Sequence, residues 1–120
     1  MKDLQLGAVE AKFADIIWRN EPVLSAELAR LCEKELNWKK TTTYTVLKRL
    51  CDKGIFQNNG GEVSSRIKKE EFYSIKSERF VEDAFEGSLP AFLTAFCSRK
   101  SLKPDDIKAL RQMIEQYGEE

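Results

Sequence analysis

The sequence predicts a mostly helical protein that contains one small β-hairpin. Apolar residues recur at helical spacing in six separate segments, and two β-rich stretches flank the turn-forming residues 59–61. The composition also changes along the chain, because five of the seven phenylalanines follow residue 70. The 120 residues therefore divide into a predicted domain over 1–69 and a predicted helical region over 70–120.

Three helices are predicted in the first region. Residues 7–20 carry apolar side chains at helical spacing, beginning with Val9 and Phe13, and Pro22 follows the end of this helix. Val23–Leu24 can form a very short strand, after which Ser25 is placed as the N-cap of a second helix. A third helix is predicted from about Thr41, with Gly54 in the C′ position that favours a left-handed conformation.

A β-hairpin is predicted directly after the third helix. Its strands are Ile55–Asn58 and Val63–Ile67, joined through Asn59-Gly60-Gly61, and Asn-Gly is a strong short-range hairpin signal. Three helices followed by a hairpin is the order of a winged helix-turn-helix domain, in which the third helix enters the major groove of DNA. The first region is therefore predicted to be a winged helix.

The predicted outer face of the third helix suits contact with DNA. Its inward positions are apolar or small, whereas its outward positions carry hydroxyl groups and bases. Threonine and tyrosine can reach base edges and thymine methyl groups, while bases hold phosphates. The predicted DNA-binding residues are Ser25, Lys40, Thr41, Thr42, Tyr44, Thr45, Lys48, Arg49 and Arg66. The alternative is that one threonine caps the helix and the others are merely tolerated.

The charge of the chain is unevenly distributed although its total is zero. The span 39–69 holds eight bases against Asp52 and Glu62, a balance of +6, whereas residues 78–120 have a balance of −3. Local positive charge is what a polyanion requires, because neutralising phosphates supplies most non-specific affinity. The alternative is a solvated basic face. These bases are Lys39, Lys40, Lys48, Arg49, Lys53, Arg66, Lys68 and Lys69.

Three further helices are predicted after the hairpin. Residues 69–86 form the first and Gly87 ends it; Ser88 caps the second, and Pro104 opens the third. Their apolar side chains are too numerous for so short a segment to enclose, so we expect a second copy of the same arm to bury them; the alternative is that the helices fold back on the winged domain. The predicted dimerisation residues are Phe80, Phe85, Leu89, Phe92, Leu93, Phe96, Ile107, Leu110 and Ile114.

Other function classes find little support. There is no histidine for acid–base catalysis, no phosphate-binding glycine loop and no pattern of metal ligands, so we expect neither an enzyme nor a cofactor. Cys32, Cys51 and Cys97 are interpreted as small, mostly buried side chains, with a redox-sensing thiol as the alternative. No apolar run has the length of a membrane span or signal peptide, which predicts a cytoplasmic protein without membrane insertion.

Three stretches of the chain resemble the BlaI/MecI/CopY family of penicillinase and related repressors. They are LGAVEAKFADIIWRNEPVLSAELA at 6–29, WKKTTTYTVLKRLCDKGIF at 38–56 and FVEDAFEGSLPAFLTAF at 80–96. Thr42, Thr45 and Arg49 match the family's recognition-helix pattern, and the third stretch resembles the hinge of its dimerisation helices. The resemblance implies a repressor that binds a palindromic double-stranded DNA operator as a homodimer.

The resemblance also implies a way of releasing the repressor. In better-known members a membrane zinc-protease sensor leads to cleavage within the dimerisation arm, between Asn and Phe. Here Ala95 precedes Phe96, and the paired C-x-C motifs of the copper-responsive branch are absent. The competing hypothesis for the whole chain is a winged-helix module that binds a protein partner rather than DNA.

Overall fold

The computed structural model describes residues 4–118, which form six helices and three short strands. The outer ends of the two predicted regions, residues 1–3 and 119–120, lie outside the described residues. The elements in chain order are α1 Ala8–Asn20, β1 Val23–Leu24, α2 Ser25–Leu36, α3 Lys40–Asp52, β2 Phe56–Asn59, β3 Glu62–Ser65, α4 Lys69–Phe85, α5 Leu89–Cys97 and α6 Pro104–Tyr117. This order confirms the predicted winged helix-turn-helix followed by helices.

Helices α1, α2 and α3 build the core of the first compact unit, which ends at Ser77. Phe13 and Ile17 of α1 are fully buried with Leu28 of α2 and Leu50 of α3. The helical spacing also placed Val9 on the inner face of α1, but its side chain is 53% exposed in the first turn. The core therefore begins one turn further along α1 than the periodicity predicts.

The end of α3 has the predicted geometry. Gly54 adopts a left-handed conformation with φ of 85°. Its amide donates to the Cys51 carbonyl, and the Ile55 amide donates to the Leu50 carbonyl, which is the hydrogen-bond pattern of a Schellman cap. This cap turns the chain directly from α3 into the wing.

The prediction that Ser25 caps α2 is wrong. The helix begins at Ser25 itself, and the capping position is occupied by Leu24, whose side chain makes no capping hydrogen bond. The Ser25 amide donates a long-range hydrogen bond to the Gly61 carbonyl at 2.7 Å, which fixes the position of Ser25 independently of any capping role. Ser25 is thus held at the turn of the wing.

The three strands form one antiparallel sheet in the order β1-β3-β2. Val63, at the centre of β3, pairs with Val23 on one side and Asn58 on the other. Gly60 and Gly61 both have positive φ in the connecting turn, and the Asn58 side chain accepts a hydrogen bond from the Gly61 amide. The predicted hairpin is confirmed with a shorter turn, because Asn59 pairs with Glu62 as the last residue of β2 and only Gly60 and Gly61 connect the strands. Strand β1 extends the hairpin on its β3 side.

Trp18 fastens the start of α4 to the first unit. Its indole N–H donates to the Ile67 carbonyl at 3.1 Å, and its ring packs against Phe56 and Phe72 with centroids 5.4 Å away. Because Phe72 is fully buried in this core, the unit continues to Ser77, beyond the residue 69 at which the sequence placed the boundary.

The second compact unit begins at Glu78 and contains the end of α4 together with α5 and α6. Ser88 caps α5 as predicted, since its hydroxyl accepts a hydrogen bond from the Ala91 amide. The rings of Phe80, Phe85 and Phe92 pack edge to face, with centroids 5.6–6.0 Å apart. This aromatic cluster joins α4 to α5.

Candidate nucleic-acid interface

The three consecutive threonines at the start of α3 lie in different environments. Thr43 is fully buried beside Cys32 in the core, whereas Thr41 and Thr42 are exposed. Thr45, one turn further on, is exposed as well. The helix therefore turns three hydroxyl groups towards solvent and keeps one inside, as the apolar spacing predicted.

Several of the outward side chains contact other groups of α3. The Thr45 hydroxyl donates to the Thr41 carbonyl at 2.9 Å, which leaves its oxygen able to accept a hydrogen bond. The Lys40 ammonium lies 5.8 Å from the centre of the partly exposed Tyr44 ring. Residues 40–45 consequently form a pre-ordered surface of hydroxyl groups, one aromatic ring and one base.

Several bases of the 39–69 span are paired with carboxylates that the charge pattern did not reveal. Four such pairs occur, at nitrogen–oxygen distances from 2.8 to 3.4 Å. Within residues 4–118, Lys39, Lys40 and Arg66 have no carboxylate partner within 4 Å. The available positive charge is therefore concentrated at the start of α3 and after β3. The four pairs are Lys48–Asp52, Arg49–Glu10, Lys68–Glu21 and Lys69–Asp15.

The pair between Arg49 and Glu10 connects α3 to the start of α1. The Arg49 guanidinium lies 2.9 Å from the Glu10 carboxylate, which also accepts a hydrogen bond from the Gly7 amide at 3.1 Å. That amide hydrogen bond, together with Arg49 and the charge of Lys53, holds the pKa of Glu10 below its ordinary value despite partial burial. Glu10 is thus ionised at neutral pH. The sequence pattern did not identify Glu10 as a site residue, because its partner Arg49 is 39 residues away.

The wing contributes one base, Arg66, to the candidate interface. The strand ends beside its turn carry Asn58, Asn59 and Glu62, and the exposed Arg66 follows the end of β3. The Arg66 amide donates to the Ile55 carbonyl, which fixes the backbone at the base of the hairpin. The candidate interface consequently consists of the outer face of α3, Ser25 beside the wing turn, and Arg66.

The predicted dimerisation residues are at least partly exposed within one chain. Phe80, Leu89, Phe96, Ile107 and Ile114 are exposed, the last by 66%. The others, Phe85, Phe92, Leu93 and Leu110, are intermediate. The structure brings Phe80, Phe85 and Phe92 into one cluster, and five of the nine predicted residues are exposed.

The cysteine thiols of the first unit are protonated at neutral pH. Burial raises the pKa of Cys32 to about 11, although the Thr43 hydroxyl acts in the opposite direction, and burial also raises the pKa of Cys51. Since the thiolate is the nucleophile and metal ligand, these two positions suit core packing. Over the described part of the chain, no cluster of three metal-binding side chains occurs and no helix could cross a membrane.

Comparisons with known proteins identify the family of this chain. The family model described as penicillinase repressor matches residues 6–116, which confirms the resemblance seen in the sequence. The chain is also similar to a penicillinase repressor of Bacillus licheniformis, with 24% identity over 117 residues that cover 94% of this chain and 91% of the relative. The chain therefore belongs to the penicillinase repressor family, whose members are transcriptional regulators rather than enzymes.

Proposed function

We propose that this protein is a cytoplasmic repressor that binds an inverted-repeat operator in double-stranded DNA as a homodimer. The observation that carries the proposal is the exposed hydroxyl-rich and basic face of α3, in a chain that belongs to a family of DNA-binding repressors. This face has no catalytic or cofactor-binding role in the proposal.

Sequence readout is assigned to Thr41, Thr42, Tyr44 and Thr45. Their short or planar side chains project from the first half of α3, which is the part of a recognition helix that contacts base edges. The Thr45 oxygen retains acceptor capacity, and threonine methyl groups fit the thymine methyl. These contacts discriminate between sequences.

Phosphate binding is assigned to Lys40, Lys48, Arg49 and Arg66, with Ser25 as a neutral contact. Lys40 and Arg66 need no rearrangement, since neither has a carboxylate partner among the described residues. Lys48 is paired with Asp52, and Arg49 is paired with Glu10. Each of these bases must therefore contact a phosphate in addition to its carboxylate or in place of it. Phosphate contacts fix the register on the duplex without carrying sequence information.

Dimerisation is assigned to the apolar surface of residues 78–118. Fully burying a large apolar side chain stabilises by roughly 1.5–3 kcal/mol, and the arm leaves Phe80, Leu89 and Phe96 about half exposed. A second arm is the partner that matches this surface, because the same residues recur on both sides of a two-fold axis.

Release is assigned to a signal that acts on the arm, with proteolysis as the form that family resemblance suggests. A membrane protease sensor, or a protease downstream of it, would then be a second partner. The Ala95–Phe96 bond lies in the last turn of α5, so a protease would need that turn to open before it could bind the bond. Loss of the arm would separate the two recognition helices and end tight binding.

The spacing of the operator tests this proposal. Binding-site selection from a random duplex pool should yield an inverted repeat whose half-sites lie about 10 bp, or a multiple of it, apart. Inserting 5 bp between the half-sites rotates one of them by half a turn and should abolish tight binding. The matched control inserts 10 bp, about one full helical turn, so that both half-sites again lie on the same face of the duplex. Absence of duplex binding at low salt, or affinity indifferent to the 5 bp insertion, would contradict the proposal.

A further inference from the structure

Arg49 is the base of the proposed DNA-binding face that is held by a carboxylate from another helix. Its guanidinium is 2.9 Å from the Glu10 carboxylate, and its side chain remains 53% exposed. Lys48 is paired only within its own helix, and Lys40 has no carboxylate partner in the described range. The contact between α3 and α1 therefore places a negative charge next to a base that faces solvent.

Glu10 cannot easily leave this position. Its side chain is 19% exposed, and one carboxylate oxygen accepts the Gly7 amide hydrogen bond that begins α1. The other oxygen contacts Arg49. The flanking Lys53 favours the ionised carboxylate, so the negative charge persists at neutral pH.

The charges of Glu10 and Arg49 cancel at short range. DNA affinity that does not depend on sequence comes from bases that replace the counterions of phosphates, and a base already paired with a carboxylate contributes less to that exchange. A phosphate that approaches Arg49 must compete with Glu10 and is repelled by it. Base readout by Thr42 and Tyr44 does not involve this competition.

On the basis of the proposed function, we propose that Glu10 is an electrostatic brake on the DNA-binding face, which lowers affinity for DNA of any sequence by competing with phosphates for Arg49. Operator and random DNA lose the same electrostatic contribution, so the ratio of their affinities is unchanged, while the protein is held less tightly on random sites. Glu10 thus sets the overall strength of DNA binding without contacting a base.

The test is a double-mutant cycle with Glu10→Gln, Arg49→Ala and the double variant in the full chain. Glutamine keeps an oxygen that can accept from the Gly7 amide, so α1 retains its cap, and far-UV circular dichroism verifies the fold. Affinity for a random-sequence duplex is measured by fluorescence anisotropy across a salt series. Glu35→Gln is the matched control, because it removes the same charge from a carboxylate 2.9 Å from Arg19.

Glu10→Gln is expected to tighten random-duplex binding by about threefold to tenfold near 0.1 M salt and to steepen the salt slope by about one per bound subunit. The effect should fall by at least half in the Arg49→Ala background, and Glu35→Gln should change affinity by less than about twofold. Weaker or unchanged binding by Glu10→Gln, an effect no larger than that of Glu35→Gln, or an equal effect in both backgrounds would overturn the brake. If the parent chain bound no duplex DNA, the proposed function itself would fall.

Discussion

The two compact units of this chain differ in how they treat their apolar side chains. In the first unit, the side chains of Phe13, Phe56 and Phe72 are fully buried in a core shared by α1, α2, α3, the start of α4 and the sheet. In the second, no residue of the described range 78–118 is buried, although three of its four phenylalanines form a cluster. The same residue type therefore completes one unit and leaves the other with an open apolar surface.

This difference agrees with the division of tasks in the proposed function. The inner face of α3 is buried in the core of the first unit, so the proposed DNA-reading face is defined within one chain. In the second unit, a side-chain cap favours α5 and an acidic first turn favours α6, but no residue of the described range 78–118 is buried. We infer that it depends on a second copy, while the first unit does not.

The largest difference between the two units is expected when one phenylalanine is substituted in each of them. Phe13→Ala removes a fully buried ring that packs 5.3 Å from Trp38, and should cost about 3–5 kcal/mol of unfolding free energy. Phe96→Ala removes a ring that is 46% exposed, so it should leave the first unit's stability unchanged and weaken dimerisation. Urea unfolding followed by Trp fluorescence measures the former. Equal destabilisation of the first unit by both variants would contradict the division.

Substitutions on α3 should have intermediate effects that are confined to DNA binding. Tyr44→Ala and Thr45→Ala should each cost about 1–3 kcal/mol on the operator and leave non-specific affinity nearly intact. Thr94→Ala in the arm is a matched control for Thr45→Ala, because both hydroxyls donate to the carbonyl four residues earlier at 2.9 Å. Anisotropy titrations compare the variants. Operator affinity equal to that of the parent would exclude α3 as the reader.

Acidification should have the smallest effect and should act on the first unit. Burial tends to raise the pKa of Glu21, but hydrogen bonds from the Ser65 amide and hydroxyl, with Lys68 nearby, hold it below its ordinary value of 4.5. A carboxyl whose pKa is lowered by folding stabilises above its unfolded pKa, and this stability is lost as the pH falls through the folded value. Unfolding free energy should thus decline below about pH 4.5.

The Glu21→Gln variant isolates this contribution. It should unfold more easily than the parent at pH 6, and its stability should depend less on pH between about 5 and 3. Urea titrations at several pH values provide the measurement. A parent protein that gains stability on acidification through this range would show that the Glu21 contacts do not contribute.

Local signals explain which parts of the structure could be predicted from the sequence. Gly54, Ser88 and the hairpin turn depend on conformations that a few neighbouring residues dictate; the first two have the predicted structure, and the turn forms at Gly60-Gly61, with Asn59 paired in β2. The apolar spacing likewise assigned the inner and outer faces of α3 correctly. These features need no knowledge of the rest of the chain.

The predictions that failed or were missed depend on distant contacts. The Ser25 amide donates a hydrogen bond to the Gly61 carbonyl, and Arg49 contacts Glu10, which is 39 positions away in the sequence. Phe72 has the same helical spacing as the arm residues that follow it, but it packs against Trp18 in the core of the first unit. Periodicity describes which side chains share a face and does not identify what covers that face.

Sedimentation equilibrium of the full chain and of a chain truncated after residue 77 tests the central claim most directly. At micromolar concentration the full chain should have twice the chain mass of 13.8 kDa, because the arm's apolar surface requires a second copy. The truncated chain keeps every residue of the first unit and should sediment as a folded monomer. A monomeric full chain, or a truncated chain that still dimerises, would contradict the account.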